Sequence, residues 1–298
     1  MRRTSATLLS AVLVCWWTLS ASAATIYGTA GTFGAQGPAT LYTIDSTTGA
    51  AAPVGLTGFD RVGAIDFSPL NGILYGIGAD PVSGSFNLIT INTATGLATA
   101  VGPLGVDIRP GAMSDMSFRS DGTLYAIDGL NSVYRVNTST GNATLLGGVS
   151  SFPAGNALAF SLTDTLYKVD IEAAYIVNQT NGSGTFVTSM NYPDSEDRAN
   201  GMDFNPATGV LFADVRHGPF GPGLVTNGPA DTAFNYLATI DLATGNVTMV
   251  GQTVNNLDAL AVQPAGQGVP DSMPTLWLAM PAGAMLLFTR QRRRANLA

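Results

Sequence analysis

Ala64-Ile65-Asp66-Phe67-Ser68-Pro69, Ile73-Leu74-Tyr75-Gly76-Ile77, Leu88-Ile89-Thr90-Ile91-Asn92, Thr95-Gly96 and Ala98 to Gly102 form one phrase. An apolar strand ends in Phe, a turn follows, then a Leu-Tyr strand, a strand ending in Asn, a Thr-Gly turn and a short strand ending in Gly. The phrase recurs through Met116-Ser117-Phe118, Leu124-Tyr125, Val133 to Asn137, Thr140-Gly141 and Ala143 to Gly147. A more worn copy has Leu158-Ala159-Phe160, Leu166-Tyr167, Tyr175 to Asn178 and Asn181-Gly182, and a fourth has Met202-Asp203-Phe204, Leu211-Phe212, Leu237 to Asp241, Thr244-Gly245 and Val247 to Gly251. Phe67, Phe118, Phe160 and Phe204 are spaced by 51, 42 and 44 residues. Four short strands at a period near 45 predict an all-β protein built from propeller blades.

The ends of the repeat array predict how it closes. The chain enters with three strands of a unit (Thr25 to Gly28, Leu41 to Asp45, Ala51 to Gly55) and leaves with the missing one, Leu257 to Val262. Joining them makes one blade from both ends and removes a free sheet edge. The expected count is therefore five blades, with six as the alternative should a blade hide in the worn region. In the Asp45-Ser46-Thr47-Thr48-Gly49 turn and its copies, the Asp or Asn side chain accepts from backbone N–H groups two residues on, and Gly takes the positive φ. On each first strand Phe shares a face with Ile65, Met116, Leu158 or Met202, while the other face carries small or polar residues such as Ala64, Asp66, Asp115 and Ser117.

Composition narrows the function. Of 298 residues 11% are charged, 35 are glycine and one is lysine, which fits strands and tight turns and not surface helices. Residues 24–268 carry 7 basic against 19 acidic side chains, so a nucleic-acid partner is excluded on charge. Residues 1–23 read as a secretory signal helix: Arg2 and Arg3, then apolar Leu8 to Leu19, then Ala21-Ser22-Ala23 for signal peptidase. The only cysteine, Cys15, lies inside it, so the mature chain has neither a disulfide nor a thiol nucleophile.

Residues 24–266 form the expected propeller domain and 267–298 a tail. The tail holds the motif Val269, Pro270, Asp271, Ser272, an uncharged stretch over 273–289 long enough for a short transmembrane helix, and a basic end over 290–294. This tail resembles the PEP-CTERM family of bacterial sorting signals, in the variant that opens Val-Pro-Asp-Ser. The resemblance implies recognition by an exosortase, transient anchoring in the membrane through the C-terminal helix, removal of the tail, and delivery to the cell surface or extracellular matrix. A plain C-terminal membrane anchor is the alternative; it places the body on the same side. The body is similar to uncharacterised propeller-type repeat proteins fused to such tails, which implies a fold and a surface location but no catalytic residues.

Candidate site residues cluster before the Phe column: Ser114 and Asp115, Asn156, Asn200, and Asp258 beside Asn255 and Asn256. A ring of Asp and Asn oxygens around a channel suits calcium, and resembles propeller lactonases that hold a divalent ion there. The competing expectation is that these side chains cap loop-to-strand turns. His217, the only histidine, falls in the insertion from Arg216 to Phe234 and is expected to be a solvated loop side chain. The acidic group Asp194, Glu196 and Asp197 with Arg198 is expected to be a solvated loop as well. The expected function is a non-enzymatic exported scaffold that binds a polymer or protein partner. The alternative is a calcium-dependent hydrolase of lactonase or glycosidase type acting at the channel mouth.

Overall fold

The computed structural model describes residues 24–31, 37–106, 113–151, 156–218 and 234–264. The signal segment and the sorting tail lie outside the described residues. Within them there are nineteen strands and no helix. The chain opens with β1 (Thr25–Ala30), β2 (Pro38–Asp45), β3 (Ala51–Phe67), β4 (Leu74–Ala79), β5 (Phe86–Ile91) and β6 (Ala98–Pro103). Next come β7 (Met113–Phe118), β8 (Leu124–Asp128), β9 (Ser132–Val136) and β10 (Ala143–Gly148). The worn copy gives β11 (Ala157–Phe160), β12 (Leu166–Val169), β13 (Ala173–Val177) and β14 (Gly184–Ser189). The last strands are β15 (Asp197–Phe204), β16 (Leu211–His217), β17 (Phe234–Asp241), β18 (Asn246–Gln252) and β19 (Leu257–Val262).

Strands β7–β10, β11–β14 and β15–β18 make three four-stranded antiparallel sheets, each following chain order. The remaining strands form one seven-stranded sheet, β19-β1-β2-β3-β4-β5-β6. It is continuous because β3 serves two units, pairing with β2 through its first half and β4 through its second. The sequence pattern treats these halves as separate strands. They stay joined because Gly58 and Arg61, both at positive φ, bend the chain between them without breaking it. The opposite edge of this sheet comes from the chain's far end: Ile26 pairs with Val262 and Gly28 with Leu260.

The first strands of the units lie side by side. β3 contacts β7, β7 contacts β11, β11 contacts β15, and β15 contacts β19, which in turn contacts β3. Their Phe column packs between units on the tyrosine of the preceding Leu-Tyr strand. Tyr27 meets Phe67 at 5.6 Å, Tyr75 meets Phe118 at 5.3 Å, and Tyr125 meets Phe160 at 5.4 Å, all edge-on. Such aromatic pairs contribute beyond the area they bury. In the last unit Phe212 takes the tyrosine's place and packs in one cluster with Val262 and Leu260 of β19.

The polar face of the first strands bonds backbone. Asp66 accepts from Phe67 N at 2.6 Å and, across to the next unit, from Phe118 N at 2.6 Å. Asp115, fully buried, accepts from Met116 N at 2.9 Å, Leu158 N at 2.7 Å and Met202 N at 3.1 Å, so one carboxyl ties three units. Ser117 accepts from Phe160 N, and Asp203 from Val262 N at 2.7 Å. β7, β11, β15 and β19 lie at sheet edges, and the second half of β3 pairs on one side only, so these strands have N–H groups that no strand partner takes.

A second contact between units repeats at the periphery and explains the closing glycines of the phrase. The Thr-Gly turn keeps its expected form: Asp45 Oδ1 accepts from Thr47 N at 2.8 Å and Thr48 N at 3.0 Å. Asn92, Asn137, Asn178 and Asp241 do the same in their turns. Each turn then abuts the outer strand of the preceding unit, backbone on backbone. A Cβ at Gly55 would fall on Thr95 O, at Gly102 on Thr140 O, at Gly147 on Asn181 O, and at Gly251 on Thr48 O. Only glycine permits that approach. The last of these contacts runs from the final full unit back to the first.

Candidate functional site

Strand direction sorts the connections onto two ends. Links from first to second strand and from third to fourth are tight turns and lie at one end. The connections between β1 and β2, β6 and β7, β10 and β11, and β16 and β17 leave from the other end, and all four include residues outside the described set. This loop-bearing end holds most of the polar side chains predicted as a site.

Two polar groups dominate it. In the third sheet, Lys168 and Asp170 form a fully buried ion pair at 2.7 Å, with Lys168 Nζ also donating to Ser151 Oγ at 2.6 Å. Tyr192 donates to Asp170 O at 2.9 Å and accepts from Ala199 N, linking this group to β15. In the fourth sheet, Asp197 pairs in register with His217, and His217 with Phe234. His217 Nδ1 lies 2.8 Å from Asp197 Oδ1. The other carboxylate oxygen accepts from the Tyr236 hydroxyl and from Asp194 N. Burial and the Asp197 charge push the Tyr236 hydroxyl well above its ordinary pKa, so it stays protonated and donates. The His217 ring stacks on Phe234 with centroids 4.8 Å apart.

Next to this group stand two arginines on neighbouring strands, Arg198 and Arg216. Arg198 Nη1 donates to Gly218 O at 3.0 Å. Burial and the positive charge of Arg216 lower the Arg198 guanidinium to about 10. Asp258 faces both arginines, yet burial outweighs them and raises its carboxyl to about 7. Burial also raises Asp214 well above the carboxylate range, although Asn235 donates to it at 2.9 Å.

The four predicted ligand residues do not form one set. Asp115 lies within the first-strand layer with both oxygens taken by backbone N–H groups. Asn156 is buried and donates to Asp128 O at 3.1 Å, while Asn200 sits at the bulge of β15 between Ala199 and Gly201. Asp258 is turned to the arginines. Among the described residues no three His, Cys, Asp or Glu side chains are placed to share an ion. Asp115 and Asn156 thus hold strands and loops together.

Two expectations are corrected. His217 is a strand residue at the end of β16, its side chain 25% exposed and held by a carboxylate. Asp197 is 2% exposed on β15, not part of a solvated loop, although Asp194 and Glu196 are exposed. The sequence pattern missed both because pairing of β15 with β16 brings together residues 20 apart. It also missed the role of Asp66 and Asp203, whose only trace is a polar residue before three of the four Phe residues.

The buried carboxyls give a pH dependence of known sign. Burial raises Asp66 to about 7 against the N–H groups it accepts, and raises Asp115 and Asp203, which also feel the Asp66 charge. A carboxyl whose folded pKa lies above its unfolded value of about 3.9 binds its proton more tightly when folded. The stability it contributes is therefore complete below that unfolded value and is lost as pH rises through 7. Exposed Asp45, Asp80 and Asp241 are shifted downward and act only at lower pH. The melting temperature at pH 5 is expected to exceed that at pH 8 by about 5 °C or more. A higher melting temperature at pH 8 contradicts this.

No family model matches the chain, and no curated protein is similar to it. Solved structures are similar to it. A chain from a nidogen/laminin complex is 10% identical with a TM-score of 0.50, over 80% of this chain and 98% of that one. A structural-genomics protein of unknown function from Bacteroides thetaiotaomicron is 18% identical with a TM-score of 0.49, over 78% of this chain and 59% of that one. A putative 6-phosphogluconolactonase from Bacteroides fragilis is 14% identical with a TM-score of 0.41, over 82% of this chain and 99% of that one. The chain has a β-propeller-type repeat fold.

Proposed function

We propose that this chain is an exported five-bladed propeller, closed by β19 on β1, that binds an extracellular polymer or protein through its loop-bearing end. One observation carries the choice of end. Among the described residues six buried side-chain polar atoms have no hydrogen-bond partner. Five of them, on Asp60, Asn131, Asn156, Asp214 and Thr253, lie in the loop-side half of the molecule. The sixth, Arg119 Nε, is at the turn end, 3.6 Å from Asp164. Buried polar atoms without partners are costly, and their concentration at one end marks where the fold gives up stability. The nidogen/laminin neighbour shows a chain of this fold class in a complex with another protein, which agrees with a binding role.

Export supports the same reading, since the signal segment and the tail place the body outside the cytoplasm. Exosortase processing at Val269 to Ser272 is the proposed route to the surface. Mass spectrometry of released protein is expected to show a terminus near residue 269, and an intact Ala298 on released material overturns the sorting step. For binding, isotherms against panels of polysaccharides and matrix proteins compare two double variants of the body. Arg198→Ala with Arg216→Ala is expected to lose binding, whereas Asp121→Ala with Asp164→Ala, at the turn end, keeps it. The reverse pattern places the ligand on the other face.

A further inference from the structure

We propose that His217 and Asp197 form a water-activating general-base pair, and that this propeller hydrolyses carboxylic esters or lactones at the rim between its third and fourth sheets. This goes beyond the binding role and does not rest on it. Asp197 is 2% exposed and accepts through one oxygen from the imidazole. Its second oxygen is filled by the Tyr236 hydroxyl and Asp194 N. A carboxylate held on all sides cannot turn away, so it fixes both ring orientation and tautomer: Nδ1 carries the proton and Nε2 the lone pair. Phe234 supports one ring face, and a quarter of the side chain is open to solvent. Among the described residues the ring makes no hydrogen bond except through Nδ1. An oriented, partly exposed imidazole backed by a buried carboxylate is the arrangement general-base catalysis needs.

The chemistry follows from what stands beside the ring. The proposed nucleophile is water; among the described residues no serine or threonine hydroxyl bonds to the ring. Nε2 takes one proton from water as the oxygen forms a bond to the acyl carbon and the carbonyl π pair moves onto its oxygen. The tetrahedral adduct then collapses, the bond to the leaving oxygen breaks, and the imidazolium returns the proton to that oxygen. The products are an acid and an alcohol, or one hydroxy acid from a lactone, with no net redox change. Glycoside cleavage needs two free carboxyl groups, and Asp197 is not one of them. Both oxygens of Asp197 are occupied. Asp197 is thus a positioning residue and His217 the catalytic one.

The body is well suited to the test, since it has one histidine and its single lysine is buried. Turnover of phenyl acetate and of δ-valerolactone is followed in a pH-stat. The wild-type body is expected to turn over many equivalents of at least one probe. His217→Gln should lower the rate by about 100-fold or more, within the usual range for a general base. Added imidazole should restore the rate of His217→Ala. Asp197→Asn should lower the rate at least about 10-fold. Its ring tautomer, read by nitrogen-15 NMR of the sole histidine, should shift from the protonated Nδ1 of the wild type. A wild-type rate equal to buffer for both probes, or a folded His217→Gln as active as the wild type, overturns the proposal. Loss of activity in His217→Ala without rescue by imidazole, at an unchanged melting temperature, also counts against it.

Discussion

Deleting residues 256–268 is expected to abolish the cooperative unfolding transition of the body, whereas deleting from Val269 onward should leave its melting temperature unchanged. The first truncation removes β19, in which Leu257, Ala259, Leu260, Ala261 and Val262 are all buried. It strips β1 of its partner strand and β15 of a neighbour, and leaves Asp203 without the Val262 N–H that it accepts. Burying a Leu or Val side chain contributes about 1.5–3 kcal/mol, so these residues together rival a typical total stability of about 5–15 kcal/mol. An open stack of sheets would instead lose one frayed end and unfold nearly as before. A milder variant probes the same closure from the periphery. Gly251→Val drives a side chain into the backbone of Thr48, so it should cost about 3 kcal/mol or more if the last unit abuts the first. Differential scanning calorimetry reads both, and equal melting temperatures for the two truncations refute the closed ring.

Replacing Asp115 by Ala should cost about 3–5 kcal/mol, among the largest effects of any single polar substitution in the body. The side chain is fully buried and its two oxygens accept from the backbone of β7, β11 and β15. Removing it leaves three buried N–H groups without an acceptor, each costing about 1–3 kcal/mol. Asp115→Asn keeps one acceptor but turns an amide donor towards the backbone donors, so it should recover only part of the loss. Urea denaturation of the two variants checks the order, Ala below Asn below wild type. Asp66→Ala should behave similarly but less severely, because its carboxyl ties two first strands and not three.

Local chemistry made much of the architecture legible in the residues alone. The turn signal of Asp or Asn, Thr and Gly is a short-range hydrogen-bond pattern, and it repeats in the structure with its side-chain acceptors in place. Strand alternation likewise follows from neighbours a few residues apart, and the Phe period from repetition of the unit, so an all-β repeat could be read from them. The pairing partner for the incomplete first unit was also legible, because a unit short of one strand points to the spare strand at the other end. The continuity of β3 was not, since a bend at Gly58 and Arg61 looks in sequence like any other linker.

Only the tertiary structure decided what the polar residues do. Asp115 reads in sequence as one of several mouth acids, yet it bonds Leu158 and Met202, which lie 43 and 87 residues away. The closing glycines read as turn residues, although their requirement comes from the neighbouring unit's backbone. His217 and Asp197 sit in stretches that look like insertion and loop, and become a pair through the register of β15 on β16. Periodicity reports the contacts that each unit makes in the same way. A side chain that acts in one unit alone leaves no period behind, so its role is fixed by packing.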